Sequence, residues 1–191
     1  MDTPTKNRIE KLHPSVRKEV TKIIKECDKA LKGRAKVRIT QGLRTFREQD
    51  DLYALGRTIV NPNGKTSKKP MGNKVTNAKG GQSIHNYGFA VDICLIIDEK
   101  IASWDTTKDW DNDQIADWYE CVKIFAKYGW EWGGNWKTFK DLPHFDKRGF
   151  NSWRVLSKLK QDKERYVIVE SKVIKSKVIK SKVIKSKVIK S

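Results

Sequence analysis

Two of the three histidines in this chain lie close to aspartates, in short segments whose residue types could hold a catalytic metal ion. His85 and Asp92 occur in SIHNYGFAVDI, and Asp141 and His144 occur in DLPHF. A hydrolytic zinc site needs about three protein ligands, an open position for water and a nearby base, because the metal makes water nucleophilic at neutral pH. The pattern therefore predicts Zn²⁺ held by His85, Asp92 and His144. Asp141, three residues before His144, suits the general base.

The spacing of these residues sets conditions on the backbone. His85 and Asp92 are seven positions apart, which would place them on opposite faces of a straight strand. Gly88 between them allows a turn or bulge that brings both to one point. Pro143 stiffens the link between Asp141 and His144. Either histidine alone could equally be a structural residue, so the prediction depends on the whole set.

The elements that must position these residues are helices and strands in irregular order. Apolar periodicity, caps and turn residues predict these elements: a helix from Pro14 ended by Gly33, a strand at Ala35–Thr40, a helix capped by Thr45 and ended by Gly56, a loop over 57–82, a strand at Phe89–Ile97, a helix at Gln114–Tyr128, a turn and strand over Gly129–Trp136, and a helix at Asn151–Gln161 capped by Asn151. The predicted fold class is α+β, with helices packed around a small antiparallel sheet that carries the zinc site in a single domain.

The charge of the chain favours anionic partners without selecting one. The 191 residues carry a net charge of +18, and residues 171–191 contribute eight lysines and no acid. The remainder holds 33 basic and 23 acidic residues, so both parts are basic. Nucleic acid, acidic membranes and bacterial wall polymers would all be attracted. No nucleic-acid-binding motif is present in the sequence, so we expect no specific nucleic-acid partner.

The end of the chain is a repeat. From Ser171 the unit SKVIK occurs four times, and a five-residue period gives neither a helix nor a strand one apolar side. We therefore predict a domain over residues 1–166 and a disordered, Lys-rich tail over 167–191. The tail is either an expanded repeat without function or a cationic arm that adheres to anionic polymers.

Other features bear on where the protein works. The N-terminus lacks an apolar segment, which predicts synthesis in the cytoplasm without a signal peptide. No stretch approaches the ~18 apolar residues of a membrane helix. Cys27, Cys94 and Cys121 are odd in number and widely spaced, which favours buried free thiols. Nothing in the sequence indicates more than a monomer.

Longer segments resemble a known family. SIHNYGFAVD matches the SxHxxGxAxD motif of the zinc D-alanyl-D-alanine carboxypeptidase and L-alanyl-D-glutamate endopeptidase family, peptidase M15. GLRTFREQDDLYALGRT, VTNAKGGQSIHNYG and WGGNWKTFKDLPHF resemble its phage endolysin-like members, so the resemblance spans roughly residues 8–160. It implies zinc bound by His85, Asp92 and His144, and Asp141 as the base. It also implies that Arg44 steadies the oxyanion or a substrate carboxylate, and that Ser83 helps to position the substrate.

The resemblance implies a zinc-dependent hydrolase that cleaves peptidoglycan stem peptides, at the L-alanyl-D-glutamate bond, at the bacterial cell wall or in the periplasm. One alternative is a D-alanyl-D-alanine carboxypeptidase with the same chemistry. Another is a non-catalytic protein that binds polyanions or the cell wall through its charge.

A second candidate metal site follows the spacing of a calcium-binding loop. Positions 1, 3, 5, 9 and 12 of a twelve-residue loop are occupied by Asp109, Asp111, Asp113, Asp117 and Glu120. Gln114 stands at the sixth position, where such loops normally need glycine. The other interpretation is a solvated acidic loop that favours the start of the following helix.

Overall fold

A computed structural model describes residues 1–57 and 72–169 of the protein. Within these ranges the chain forms five α-helices, two short 3-10 helices and five β-strands. The α-helices are α1 (Thr3–Glu10), α2 (Pro14–Ala30), α3 (Phe46–Ala54), α4 (Asp117–Lys127) and α5 (Trp153–Leu156). The strands are β1 (Ala35–Gln41), β2 (Ala90–Ile97), β3 (Ile101–Ser103), β4 (Trp130–Trp132) and β5 (His144–Lys147). The 3-10 helices are Ile84–Tyr87 and Gly133–Asn135.

The five strands form one antiparallel sheet. Its order is β1-β2-β5-β4, and β3 pairs with the far end of β2. β2 lies at the centre, and every one of its residues is buried except Asp92, which is half-buried. A strand covered on both faces is expected to be almost entirely apolar, so the single carboxylate stands out. The predicted α+β class with a small antiparallel sheet is confirmed.

Helices α2 and α4 supply much of the apolar packing against this sheet. Pro14 occupies the first turn of α2, where a missing N–H is harmless, and a buried apolar stripe runs along the helix through Val20, Ile23 and Ile24. Trp118 of α4 is fully buried in the same core. The predicted α2 is confirmed, with its end at Ala30 shortly before Gly33.

Two predicted helices begin or end elsewhere. The prediction that a helix starts at Gln114 is wrong, because Gln114 has a left-handed φ of 74° and α4 begins at Asp117. The helix predicted over Asn151–Gln161 is only Trp153–Leu156. Asn151 does not cap it, because its side-chain amide donates to Glu131 at 3.0 Å.

The C-terminal part of the described chain packs beyond the predicted domain boundary. Val167 is buried, and its carbonyl oxygen lies 2.8 Å from Nε2 of His13. Val169 packs against the core, so packed chain extends three residues past position 166. The SKVIK tail at 171–191 lies outside the described residues, and so does part of the predicted loop, residues 58–71. The division into a domain and a tail stays a prediction.

All three cysteines are buried and free, as predicted. Among the helices of the described ranges, none has both the length and the apolar character needed to cross a bilayer.

Candidate active site

Three potential ligand atoms, predicted from the sequence, meet near the start of β2. Asp92 on β2 lies directly opposite His144 on β5, and His144 Nδ1 is 3.1 Å from Asp92 Oδ1. His85 Nε2 is 3.2 Å from the same oxygen and 3.1 Å from His144 Nδ1. Both imidazoles are buried. The two histidines and the aspartate thus form a triangle whose three edges are nearly equal.

The turn that delivers His85 is the one predicted from Gly88. His85 lies in a 3-10 helix, and Gly88 follows that helix with a φ of 73° before β2 begins. A Cβ at this position would approach the backbone nitrogen of His13 to 2.5 Å, so space as well as conformation requires glycine. His85 therefore lies on the 3-10 helix and not on β2, so the odd spacing does not place it on the opposite face from Asp92.

The outer nitrogens of both imidazoles face acceptors. His85 Nδ1 lies 2.7 Å from the carbonyl oxygen of Gly42, which can only accept, so the proton is on Nδ1 and the Nε2 lone pair faces the triangle. His144 Nε2 lies 3.7 Å from Oδ2 of the buried Asp146. Although this distance is longer than a hydrogen bond, the nearby carboxylate charge favours the tautomer with the proton on Nε2, in which the Nδ1 lone pair faces the other two groups.

This donor set fits a small divalent cation. Two imidazole lone pairs and one carboxylate oxygen point at one another and need a positive charge between them. Tetrahedral zinc with bonds of about 2.0–2.1 Å has ligand atoms about 3.3 Å apart, close to the edges of this triangle. An acceptor behind each imidazole is also usual at metal sites, since it fixes the tautomer.

The pKa shifts of Asp92 and His144 agree with that fit. Burial alone would raise the pKa of Asp92, but the two imidazoles outweigh it and hold this pKa well below its ordinary range. Burial lowers the pKa of His144, yet its contacts with Asp146 and Asp92 raise it to about 9. The carboxylates therefore favour a positive charge between these groups. Either a proton on His144 or a metal ion can supply it, so the two would compete.

Asp141 lies beside the triangle. Its N–H donates to Gly133 O at 3.2 Å, and its own carbonyl accepts from the N–H of His144 at 3.2 Å. A Cβ on Gly133 would lie 2.4 Å from the Asp141 carbonyl oxygen, so this turn can close only against glycine. Burial raises the pKa of Asp141, and repulsion from Asp92 raises it further. A half-buried carboxyl with a raised pKa is suited to proton transfer.

Arg44 approaches the triangle from the segment before α3. Its Nη2 lies 3.8 Å from Asp92 Oδ2, and its Nη1 donates to Gln49 Oε1 at 2.7 Å. Burial lowers the pKa of Arg44, and the nearby carboxylates of Asp92 and Glu48 oppose this shift. A guanidinium stays charged under such conditions and offers a planar fork for an anionic oxygen.

Three polar residues that support the site were not predicted. Gln49 is fully buried and joins Arg44 to the cleft wall, because its amide nitrogen donates to Ala78 O at 2.8 Å. Asn86 donates to Arg44 O at 2.9 Å and so ties the 3-10 helix to the Arg44 segment. Asp146 had a signal in the sequence, since it lies two positions after His144 on a strand and shares its face. The other two had none, because the contacts of Gln49 with Ala78 and of Asn86 with Arg44 join residues distant in sequence.

The site opens into a cleft of about 530 Å³. Ser83 lines it, as do Asp141, Asp146 and the aromatic side chains of Trp136 and Phe139. One wall is the segment 75–78. The predicted loop over 57–82 therefore reaches the cleft through its last third.

The acidic loop before α4 forms a second cluster. Ligand atoms of Asp109, Asp111 and Asp117 lie within 4.8 Å of one another, and so do those of Asp111, Asp113 and Glu120. All five candidate calcium ligands are thus drawn together in two overlapping groups. Gln114 adopts the left-handed conformation for which glycine was expected at the sixth position.

Two oxygens of this cluster are buried without a hydrogen-bond partner among the described residues. They are Asp117 Oδ2 and Glu120 Oε2, and the Asp117 side chain is fully buried. Burial raises the pKa of Glu120 to about 7, and repulsion from Asp113 and Asp111 adds to the shift. Desolvated carboxylate oxygens without donors are costly unless a proton or a cation reaches them.

The chain is similar to known peptidases. Residues 76–147 match the profile of a peptidase M15 family described as D-alanyl-D-alanine carboxypeptidase. The peptidoglycan L-alanyl-D-glutamate endopeptidase CwlK of Bacillus subtilis (strain 168) is 44% identical over 129 residues, which are 65% of this chain and 71% of CwlK. The crystal structure of the Serratia marcescens L-Ala D-Glu endopeptidase ChiX aligns over 81% of this chain and 91% of its own, at 18% identity and a TM-score of 0.47. The chain belongs to the peptidase M15 family and is a metallopeptidase.

Proposed function

We propose that the protein hydrolyses the L-alanyl-D-glutamate bond of peptidoglycan stem peptides, with Zn²⁺ held by His85, Asp92 and His144. The observation that carries this proposal is the convergence of the three ligand atoms to within 3.2 Å of one another. The same cleft contains Asp141 and Arg44. The bond itself is inferred from CwlK, whose name specifies it.

The residues around the metal have separable tasks. Bound Zn²⁺ would polarise the scissile carbonyl and lower the pKa of a water molecule. Gly42 and Asp146 hold the imidazole protons on the outer nitrogens, so that His85 Nε2 and His144 Nδ1 stay free to bind. Asp92 supplies the negative charge of the ligand set.

Asp141 is proposed as the general base. It accepts a proton from the attacking water and can return it to the leaving amine. Its raised pKa suits both steps, because a carboxyl with an ordinary pKa would hold the proton too weakly to deliver it.

Arg44 and Ser83 are proposed to act on the substrate. The Arg44 guanidinium is held by Gln49 on one side and by Asp92 on the other, and it would stabilise the oxyanion or a substrate carboxylate. Ser83 lines the same cleft and would help to position the peptide.

A second candidate reaction is removal of the terminal D-alanine, which the description of the matching family favours. Incubation of the protein with defined stem peptides separates the two reactions by product mass. Release of L-alanine from the amino end supports the endopeptidase, whereas loss of D-alanine alone supports the carboxypeptidase. If the protein binds cell walls but cleaves neither bond, it is a binder and the proposal fails.

We further propose that the protein acts as a monomer at the bacterial cell wall or in the periplasm. Stem peptides carry free carboxylates, and the basic surface of the chain would attract them. Light scattering of the purified protein tests the oligomeric state.

Calcium is proposed for the acidic loop. The buried, unpartnered Asp117 Oδ2 supports this, since it lies in a group of carboxylates and no described donor reaches it. Hard cations such as Ca²⁺ prefer carboxylate and carbonyl oxygens. Bound calcium would order the segment that leads into α4. Calorimetry that detects no heat from millimolar calcium would remove this proposal.

A further inference from the structure

A second groove adjoins the catalytic cleft and has a different chemical character. It encloses about 310 Å³ between the start of α3 and the region of α5. Its wall includes Phe46, Gly81, Gln82, Ser157 and Gln161. None of the eight described residues that line it carries a charge, although the chain as a whole has a net charge of +18.

The groove and the cleft share one lining side chain. Trp153 lines both, and the guanidinium of Arg154 stacks 4.5 Å from its ring centroid. The groove therefore adjoins the cleft at Trp153, within reach of a ligand that extends out of the cleft on this side.

The groove presents an accessible aromatic ring. Phe46 is 47% exposed and packs edge-on against the buried Tyr87, with ring centroids 6.1 Å apart. Gly81 lies against the same ring, where an added Cβ would come within 3.3 Å of Phe46 Cε2. Glycine at this position therefore keeps the groove wide beside the ring.

The remaining polar groups of the groove are neutral. Gln82 and Gln161 offer amides, and Ser157 offers a hydroxyl, all of which can both donate and accept hydrogen bonds. A charged ligand group would lose its hydration here without gaining an opposite charge. Aromatic rings with amides and hydroxyls instead suit a ring that has an apolar face and a polar edge, as an N-acetylated sugar has.

The substrate chemistry supplies such a sugar at a short distance. In peptidoglycan the L-alanine of the stem peptide is amide-linked to the lactyl group of an amino sugar, so only L-alanine and this lactyl group separate the L-alanyl-D-glutamate bond from the sugar ring. Two units of this kind span about 7 Å when extended, so the sugar would lie next to the cleft when the scissile bond is at the metal site. The charged parts of the stem peptide would lie on the other side of the scissile bond, near Arg44.

We propose that this groove binds the neutral N-acetylated amino sugar that carries the stem peptide. The proposal rests on the proposed function and extends it, because it makes the glycan-linked peptide, rather than the free peptide, the preferred substrate.

The test compares two substrates with the same scissile bond: a free stem peptide and the same peptide on its N-acetylmuramyl sugar. For the wild-type chain we expect a higher kcat/KM on the sugar-linked form. Phe46→Ala should lower kcat/KM on the sugar-linked form by about tenfold, mainly through KM, and should change the free peptide by less than about twofold. Trp104→Ala is the matched control, because Trp104 is 51% exposed and lines neither cavity.

A second variant keeps the proposal testable if Phe46→Ala fails to fold. Ser157 is exposed, so Ser157→Arg should fold normally while filling the groove. It should reproduce the selective loss on the sugar-linked peptide. Equal losses on both substrates, or no loss on either, would overturn the proposal. If the wild-type chain cleaves neither substrate, the proposed function fails.

Sugar binding can also be measured without catalysis. In NMR titration of the full chain with N,N′-diacetylchitobiose, the indole N–H signal of Trp153 should shift and that of Trp104 should not. If the Trp153 signal is unchanged at millimolar sugar, the groove does not bind amino sugars, whatever bond the enzyme cleaves.

Discussion

The two carboxylate-containing clusters of this protein differ in how their ligand atoms are held. In the histidine cluster of His85, Asp92 and His144, acceptors behind each imidazole turn the lone pairs inward, and one carboxylate balances the charge. The acidic cluster of residues 109–120 holds five carboxylates, and Asp109 already accepts from the backbone N–H groups of Asn112 and Gln114. The first cluster offers two nitrogens and one oxygen, a set that suits a borderline cation, and the second offers only hard oxygen ligands.

Removing one candidate ligand from each cluster should give the largest difference, in both zinc content and cleavage. His85→Ala should lose both zinc and cleavage, because only two ligands remain and one faces a void. Asp113→Ala should keep both. Metal analysis of the two purified variants, together with stem-peptide cleavage, measures this. His13→Gln is the control for the loss of a buried imidazole outside the cluster. Cleavage by a zinc-free His85→Ala protein would contradict the assignment.

A substitution of Asp141 should impair catalysis without affecting metal binding. We expect Asp141→Asn to lower kcat by about 10³-fold or more, since general bases contribute 10²–10⁴-fold, while zinc content stays unchanged. Loss of zinc in this variant would instead make Asp141 a ligand.

Substitutions of Arg44 test how much a positive charge beside the histidine cluster contributes to catalysis. Arg44→Ala should lower kcat/KM by about 10²-fold, as removal of one oxyanion donor commonly does. Arg44→Lys should restore little, because an ammonium cannot replace the planar fork that Gln49 orients. Full activity of the lysine variant would show that charge alone suffices.

Asp146 tests whether the acceptor behind His144 matters. Asp146→Asn should weaken zinc binding by about tenfold, because the charge that favours the Nε2–H tautomer is lost. A competition titration with a zinc chelator gives the affinity. Asp98→Asn, at an exposed aspartate paired with Arg34, should leave it unchanged.

In the absence of calcium, the acidic cluster should make the stability of the protein depend on pH. This is the smallest of the expected effects. Glu120 has its folded pKa raised to about 7 from an ordinary value of 4.5, so the folded state binds more protons between these values. Stability should therefore rise as pH falls from above 7 toward 4.5, by a few degrees in Tm. Glu120→Gln should flatten this dependence, and calcium at pH 8 should raise the Tm of the wild-type chain only. A pH dependence unchanged by Glu120→Gln would contradict the assignment.

The sequence predicted the residues of the histidine cluster better than the supporting polar residues and the helix bounds around it. Scarce residue types in short segments identified His85, Asp92 and His144, and Gly88 marked the turn that unites them. Gln49 and Asn86 escaped prediction because their roles depend on contacts with residues far along the chain. The start of α4 was placed too early, since the alternating carboxylates of the acidic loop favour turns that helix periodicity does not register.

Zinc K-edge X-ray absorption of the purified full-length chain tests the central claim most directly. We predict one zinc per chain, with two imidazole nitrogens and at least one oxygen at about 2.0–2.1 Å, and loss of this signal in His85→Ala. Zinc bound through sulfur or through a single imidazole, or a chain that takes up no zinc, would contradict the account.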